Sequence, residues 1–333
     1  MSISPGALRF NTDSQKLELY DGNQWTESVA SSPDSQTGGA RGVFGGGYSP
    51  AGSKTDALDY ITISTTGNAL DFGNLTVSRA YSAACASSTR GVWAGGYRYP
   101  ETITSDVIDF ATISSTGNAQ DFGDLSVPRS NLSACSNSTR GVFAGGAGNS
   151  NVIDYVTIAS KGDSVDFGDI SVPRRRVSTC ASATRGIFAG GNADPSINVI
   201  EFITTSTLGN AADFGDLSNT SSGKGGCSNA IRGVFGGGNA SAANTIDFIT
   251  IATLGNAVSF GSLTRTLSIE PQNSAASSTR GVWAGGYSPD APTTSNIVDY
   301  VTIMSIGNAI DFGDLTAPYA RISGCSNGHG GLG

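Results

Sequence analysis

The chain has 333 residues, is 38% hydrophobic and 14% charged, and carries 46 glycines and a net charge of −8. So acidic a chain lacks the basic face that phosphate neutralisation demands, which argues against a nucleic-acid partner. Short Val, Ile, Phe and Tyr runs between Gly, Ser, Thr and Asn, with no 3.6-residue periodicity, exclude a helical fold and predict an all-β chain.

Residues 1–30 differ from the rest. Ala7-Leu8-Arg9-Phe10, Lys16-Leu17-Glu18-Leu19-Tyr20 and Gln24-Trp25 read as a small meander, with Asp21-Gly22 as a hairpin turn. The opening residues carry no basic-then-apolar leader, and no apolar run approaches the roughly 20 residues of a membrane span. The expectation is a protein without a signal peptide or membrane insertion. So short a meander is too small to be stable alone, so it should dock on another protein or self-associate, as in a trimer. Residues 31–40 read as a polar linker.

From residue 41 the chain repeats. Arg-Gly-(Val/Ile)-(Phe/Trp)-(Ala/Gly)-Gly-Gly, or a close variant, begins at Arg41, Arg90, Arg140, Arg185, Arg232 and Arg280, at intervals of 49, 50, 45, 47 and 48 residues. Each unit reads as four strands: Gly-Val-Phe-Ala-Gly-Gly, an alternating Asn-Val-Ile-Asp-Tyr-Val-Thr-Ile, then Asp-Phe-Gly-Asp-Leu, then a run of small residues. Such a period marks propeller blades. The final small-residue run, 322–327, has no following unit and should pair beside 41–47 to close a ring. Cys85, Cys135, Cys180, Cys227 and Cys325 recur at one place in the repeat, with Ala275 at the sixth. They are therefore read as small, buried, reduced core residues.

The double glycine, the later Pro-Arg (Pro128-Arg129, Pro173-Arg174) and the small-residue strand resemble kelch repeats over about 41–328. Most kelch blades have a Trp before Pro-Arg, where Phe72, Phe122, Phe167, Phe214, Phe260 and Phe312 stand nearby here. The resemblance implies a six-bladed kelch-like β-propeller spanning 41–333. The string Leu8 to Trp25 resembles segments of tail-fibre and other virion proteins of tailed bacteriophages. The Thr-Gly-Asn-Ala-x-Asp-Phe-Gly units resemble structural proteins of marine phages, especially those infecting cyanobacteria. What these resemblances imply is a virion protein assembled in the host cytoplasm as a tail fibre, head fibre or decoration protein. Its N-terminal segment would bind other virion proteins, and its propeller a host-surface glycan or receptor.

Spacing separates two faces. Each strand carboxylate (Asp59, Asp109, Asp154, Glu201, Asp247, Asp299) precedes the Phe of the Phe-Gly pair by 13 residues. From the Gly-Gly pair to that carboxylate the spans vary: 12, 13, 8, 10, 9 and 13. Variable loops on a rigid scaffold are where recognition resides. Loops 48–58, 97–108 and 287–298 are the longest, and their Tyr48, Tyr97, Tyr99 and Tyr287 could stack on sugars. Arg79, Arg129, Arg174, Arg175, Arg176, Lys224, Arg265 and Arg321 fall in the connections to the closing strands. They suit either salt bridges to neighbouring loops or an anionic ligand. On the constant face, Arg41, Arg90, Arg140, Arg185, Arg232 and Arg280 are expected to pair with Asp71, Asp121, Asp166, Asp213 and Asp311. Ser259 would leave Arg232 without its partner.

Catalytic chemistry has little to stand on. A single His329 in a Gly-rich tail builds no triad, and the cysteines lack zinc spacing, so no catalytic residue, metal or cofactor is expected. Six near-equivalent carboxylates suit six structural bonds better than a glycosidase pair. A non-enzymatic virion protein leads; the alternatives are an intracellular kelch-type interaction module and a carbohydrate-active propeller enzyme.

Overall fold

The computed structural model describes residues 4, 6–11, 16–20, 22–27, 39–98, 100–101, 103–239, 244–266, 272–287 and 294–332. Most of the 31–40 linker lies outside them. The N-terminal strands Leu8–Asn11, Lys16–Tyr20 and Trp25–Glu27 form one antiparallel sheet. Arg9 ties it together, pairing with Glu18 at 2.7 Å and lying 4.3 Å over the Trp25 ring. Leu8 and Leu19 face each other across the ladder and stay exposed.

The remaining described residues are all-β, with six four-stranded antiparallel sheets and one two-stranded ladder among them. The sheet Ser133–Ser136, Arg140–Ala144, Val152–Thr157 and Val165–Asp169 shows the plan. Its innermost strand is the small-residue run that precedes the Arg-Gly motif. The first sheet takes its inner strand from the other end of the chain: Ser323–Ser326 pairs with Arg41–Gly45, Ser323 opposite Gly45 and Ser326 opposite Gly42. Inner strands of successive sheets are neighbours throughout, and Ser323–Ser326 lies beside both Ala83–Ala86 and Ser274–Ala276. The arrangement is consistent with a propeller-like fold.

Nearly every signature residue of the repeat contacts the next sheet. Each inner-strand cysteine places its sulfur against the Arg-Gly glycine of the next sheet; a methyl on Gly141 would stand 2.7 Å from Cys85 Sγ. Ala275 occupies the same relation to Gly42. The cysteines are buried free thiols, and burial raises Cys135 to about 12. They are fillers between sheets.

The Thr-Gly-Asn-Ala turn docks on the outer strand of the preceding sheet. Gly117 N–H donates to Phe72 O at 2.7 Å, Ala119 N–H to Asn74 O, and Asn118 Oδ1 accepts from Asn74 N–H. The pattern repeats around the chain to Gly67 N–H on Phe312 O, which joins the first repeat to the last. The docking explains the Phe-Gly glycines: Gly73, Gly123, Gly168, Gly215 and Gly313 have φ of 143–151°, and a side chain at Gly73 would strike Gly117 O at 2.5 Å.

The constant-face arginines do not pair with Asp71, Asp121, Asp166, Asp213 and Asp311. Each guanidinium instead stacks on an aromatic ring of its own sheet and donates to carbonyls of the next. Arg41 lies 4.9 Å from the Tyr60 centroid and donates to Ile113 O and Ser114 O. Arg90 reaches Ile158 O, Arg140 Thr205 O, Arg185 Ile251 O, Arg232 Ile303 O and Arg280 Ile63 O. The five aspartates sit exposed on outer strands. Ser259 therefore changes nothing at Arg232, which makes the same contacts as the others. A planar guanidinium can stack while its N–H edges meet carbonyls, and the strand end of the neighbour leaves such carbonyls without ladder partners.

Hydroxyls stitch the inner strands. Ser136 Oγ accepts from Ala86 N–H and donates to Ala86 O, and Ser228 with Ala181 and Ser326 with Ala276 do the same. The two tryptophans of the Arg-Gly motif are matched to glycines in the preceding repeat. Trp93 borders Gly45, and Trp283 borders Gly236, where most other repeats have Ala. A methyl at Gly236 would come within 3.0 Å of Trp283. Gly236→Ala should therefore overpack this junction and cost about 1–3 kcal/mol, measured by denaturant unfolding. An unchanged midpoint would show that the glycine is not there for the tryptophan.

Candidate binding face around the channel mouth

The variable loops and the connections to the inner strands share one side. Gly47 N–H donates to Arg79 O, Gly96 N–H to Arg129 O, Gly146 N–H to Arg174 O and Tyr48 N–H to Ala320 O. Within this face the cations expected to form one cluster divide into two sets.

Arg79, Arg129, Arg174 and Lys224 are buried, Arg265 nearly so, and they are not a ligand surface. Each meets the strand carboxylate of the following sheet: Arg79–Asp109 at 2.9 Å, Arg129–Asp154, Arg174–Glu201 at 2.6 Å, Lys224–Asp247 at 3.6 Å and Arg265–Asp299 at 3.9 Å. A Ser or Thr of the preceding sheet's exit completes each carboxylate, as Thr76 does for Asp109 and Ser126 for Asp154. The sequence placed cations near these carboxylates but could not show that they point inward. Lys224 and Arg265 reach the site from other offsets than Arg79, so spacing alone hid their equivalence.

The sixth junction differs. Tyr319 stands where Arg79 stands in its repeat, and Asp59 receives Thr316 N–H and Oγ1 at 3.0 and 2.8 Å. Among the described residues no cation pairs with Asp59. Burial pushes its carboxyl above the ordinary value, and the Thr316 hydrogen bonds pull it partly back. Burial likewise raises Tyr319, reinforced by Asp59.

At the mouth itself, one residue per repeat takes a left-handed backbone: Tyr81, Asn131, Arg176, Gly223, Gln272 and Arg321, with φ from 56 to 89°. Backbone bonds run from each of several to the next: Tyr81 N–H to Arg321 O, Asn131 N–H to Tyr81 O, Arg176 N–H to Asn131 O and Gly223 N–H to Arg176 O. Only Gly223 meets this conformation freely; the other five carry side chains at a cost of order 1 kcal/mol each. No sequence motif announced this ring, since the five residue types share nothing but position.

Tyr48 and Tyr97 of the long loops lie beside it. Arg321 lies 5.0 Å from the Tyr48 centroid and 4.5 Å from Tyr81, while Lys54 lies 5.4 Å from Tyr48 and 4.7 Å from Tyr97. Tyr48 and Tyr81 meet edge to face. These rings hold the protein's own cations, so the expected open stacking platform is replaced by a ladder of alternating rings and charges. Tyr287 is 39% exposed. Tyr99 and most of 287–298 lie outside the described residues. Arg175 turns away to Asp194 and Asn149.

Below the mouth a cavity of about 60 Å³ runs between the inner strands. Gln272 bonds Thr179 near one end. At the other, the tail folds in and His329 Nε2 meets Ala86 O at 2.8 Å, while its Nδ1 accepts from Gly331 N–H. Burial lowers the His329 pKa, and both ring nitrogens are engaged. His329 is a structural plug. Among the described residues no cluster of His, Cys, Asp or Glu could hold a metal, and no helix is long and apolar enough to cross a membrane.

No protein-family model matches this chain, and no curated protein matches it.

The two kinds of carboxylate should respond oppositely to neutralisation. Asp109→Asn leaves Arg79 buried without its counter-charge and should cost about 3–5 kcal/mol. Asp59→Asn removes a buried charge that has no cation, so stability at neutral pH should hold within about 1 kcal/mol or rise. A carboxyl whose pKa is higher folded than unfolded favours folding at low pH and loses that contribution as pH rises through the folded value. Asp59→Asn should flatten this loss in the window starting near 3.8. Unfolding of both variants across pH checks this; equal destabilisation would refute the distinction.

Proposed function

We propose that the chain is a six-bladed kelch-like β-propeller acting as a non-enzymatic virion structural protein of a tailed bacteriophage. Its N-terminal meander attaches to other virion proteins, and its variable face meets the host surface or a neighbouring protein. The observation that carries this reading is the joining of two unlike parts. One is a ring in which the last repeat contacts the first as each contacts the next, with its constant residues spent on those junctions. The other is a separate small meander that carries the tail-fibre-like string and keeps Leu8 and Leu19 exposed.

The chemistry available supports a binding role over catalysis. Five of the six strand carboxylates that could have served as acid and base are consumed by buried cations, and His329 is locked in the channel. The mouth offers instead a rim whose backbone is hydrogen-bonded from repeat to repeat, and ordering before binding limits the entropy lost on binding.

Removal of residues 1–30 should leave unfolding of the ring unchanged within about 1 kcal/mol, because the meander adds little stability of its own. The shortened chain should be missing from purified virions, where mass spectrometry finds the full chain. Absence of the full chain from virions would overturn the reading.

A further inference from the structure

We propose that the constant face of repeats five and six binds a second copy of this chain, pairing two molecules back to back. Here the repeat departs from its own pattern. The residue before the Arg-Gly motif is Thr89, Thr139, Thr184 and Thr279 in four repeats, but Ile231 in the fifth. The residue before the docking glycine is Thr66, Thr116 and Lys161 in the first three repeats, then Leu208, Leu254 and Ile306. Met304 stands where the other repeats have Ser64, Ser114, Ala159, Ser206 and Ala252. Polar or small residues serve the same turns elsewhere, so folding does not require the apolar ones.

The fold brings these departures together. Ile251 N–H donates to Ile231 O at 2.9 Å, and the neighbouring Arg232 donates to Met304 O at 3.1 Å. Ala230 and Ala252 line one open hollow of about 350 Å³ on this face, which sets the turns of Ile231 and Leu254 side by side. Gly307 N–H donates to Phe260 O at 3.0 Å, docking the turn of Ile306 on the outer strand that begins at Val258. Ile231, Leu254, Val258, Met304 and Ile306 are 53, 61, 56, 47 and 61% exposed.

Area and charge point to a second copy. Each of the five keeps of order 100 Å² in water, so the patch with its intervening turns nears the roughly 800 Å² that one partner gives to a standard interface. The outer strands of repeats two, three, four and six each carry two aspartates, as Asp213 and Asp216 do in the fourth. The fifth has Ser259 and Ser262 at those positions, so the acidic belt is interrupted beside Val258. A basic partner would be drawn to the aspartates. Another chain of net charge −8 is repelled by them and approaches best where they are missing. A patch that meets itself across a two-fold axis closes at two copies, and both variable faces then point outward.

The test is sedimentation equilibrium of the full chain from about 1 to 100 μM, at low and high salt. A monomer–dimer equilibrium should appear and tighten as salt rises, because screening weakens the repulsion between copies. Ile231→Thr with Leu254→Thr should weaken the dimer at least about tenfold, as the loss of apolar burial predicts. Ser259→Asp with Ser262→Asp should weaken it by restoring the belt, an effect that high salt relieves. Both pairs install residues that other repeats hold at these positions, so unfolding midpoints of the dilute, monomeric chains should match the parent. A monomer throughout, an assembly larger than two, a dimer that weakens as salt rises, or one that either pair leaves unchanged would overturn the assignment. A dimer lost on removal of residues 1–30 would place the contact at the meander and overturn it as well. Virion incorporation is scored separately: a monomer found in virions refutes only the pairing, and a dimer absent from virions refutes only the virion reading.

Discussion

A sheet of four short strands cannot satisfy itself, and the molecule follows from that constraint. Its faces need burial, its inner strand has no ladder partner on one side, and its outer strand leaves an edge open. Each need is met by the next sheet. Cysteine sulfurs fill the space over glycines, serine hydroxyls bond the inner strands, a turn docks on the outer strand, and a guanidinium gathers stray carbonyls. Because every sheet depends on its neighbour in the same direction, the series is complete only if the last sheet reaches the first. Arg280 on Ile63 O and Gly67 N–H on Phe312 O supply that final step.

The closing junction is chemically the odd one. Five junctions bury an ion pair between one sheet and the next, and the sixth buries Asp59 with Thr316 and Tyr319 near it. Breaking a buried pair is costly, although the pair itself adds little over a well-packed apolar contact. The ion pairs therefore fix which carboxylate faces which cation more than they add stability. The seam relies on the C-terminal strand, the carbonyl contacts of Arg280 and the tail that folds into the channel.

Much of the architecture was legible in the sequence because identical physical needs recur in each repeat. The strand order, the role of the terminal small-residue strand and the buried free cysteines all follow from period and residue size. The site was less legible. Arg79 and Arg321 fall in equivalent connections, yet one is sealed against Asp109 and the other is half-buried against two tyrosines. A few residues' difference in offset reverses the direction of the side chain, and spacing does not encode direction. The expected Arg41–Asp71 type of pair failed for a related reason: charge complementarity suggested it, but stacking on Tyr60 and the nearby carbonyls of 113 and 114 satisfy the guanidinium first. The left-handed ring was invisible, since Tyr, Arg and Gln seldom adopt that backbone and a lone Asn does not announce it.

The junctions run from each repeat to the next, and the last returns to the first. Native-state hydrogen exchange tests closure most directly, by comparing the seam amides of Gly67 and Ala69 with their counterparts Gly117 and Ala119. All four are donors to the preceding outer strand. A closed ring predicts that the four exchange only with global unfolding and share one opening free energy. Faster exchange at Gly67 and Ala69, through a local opening that spares Gly117 and Ala119, would contradict it.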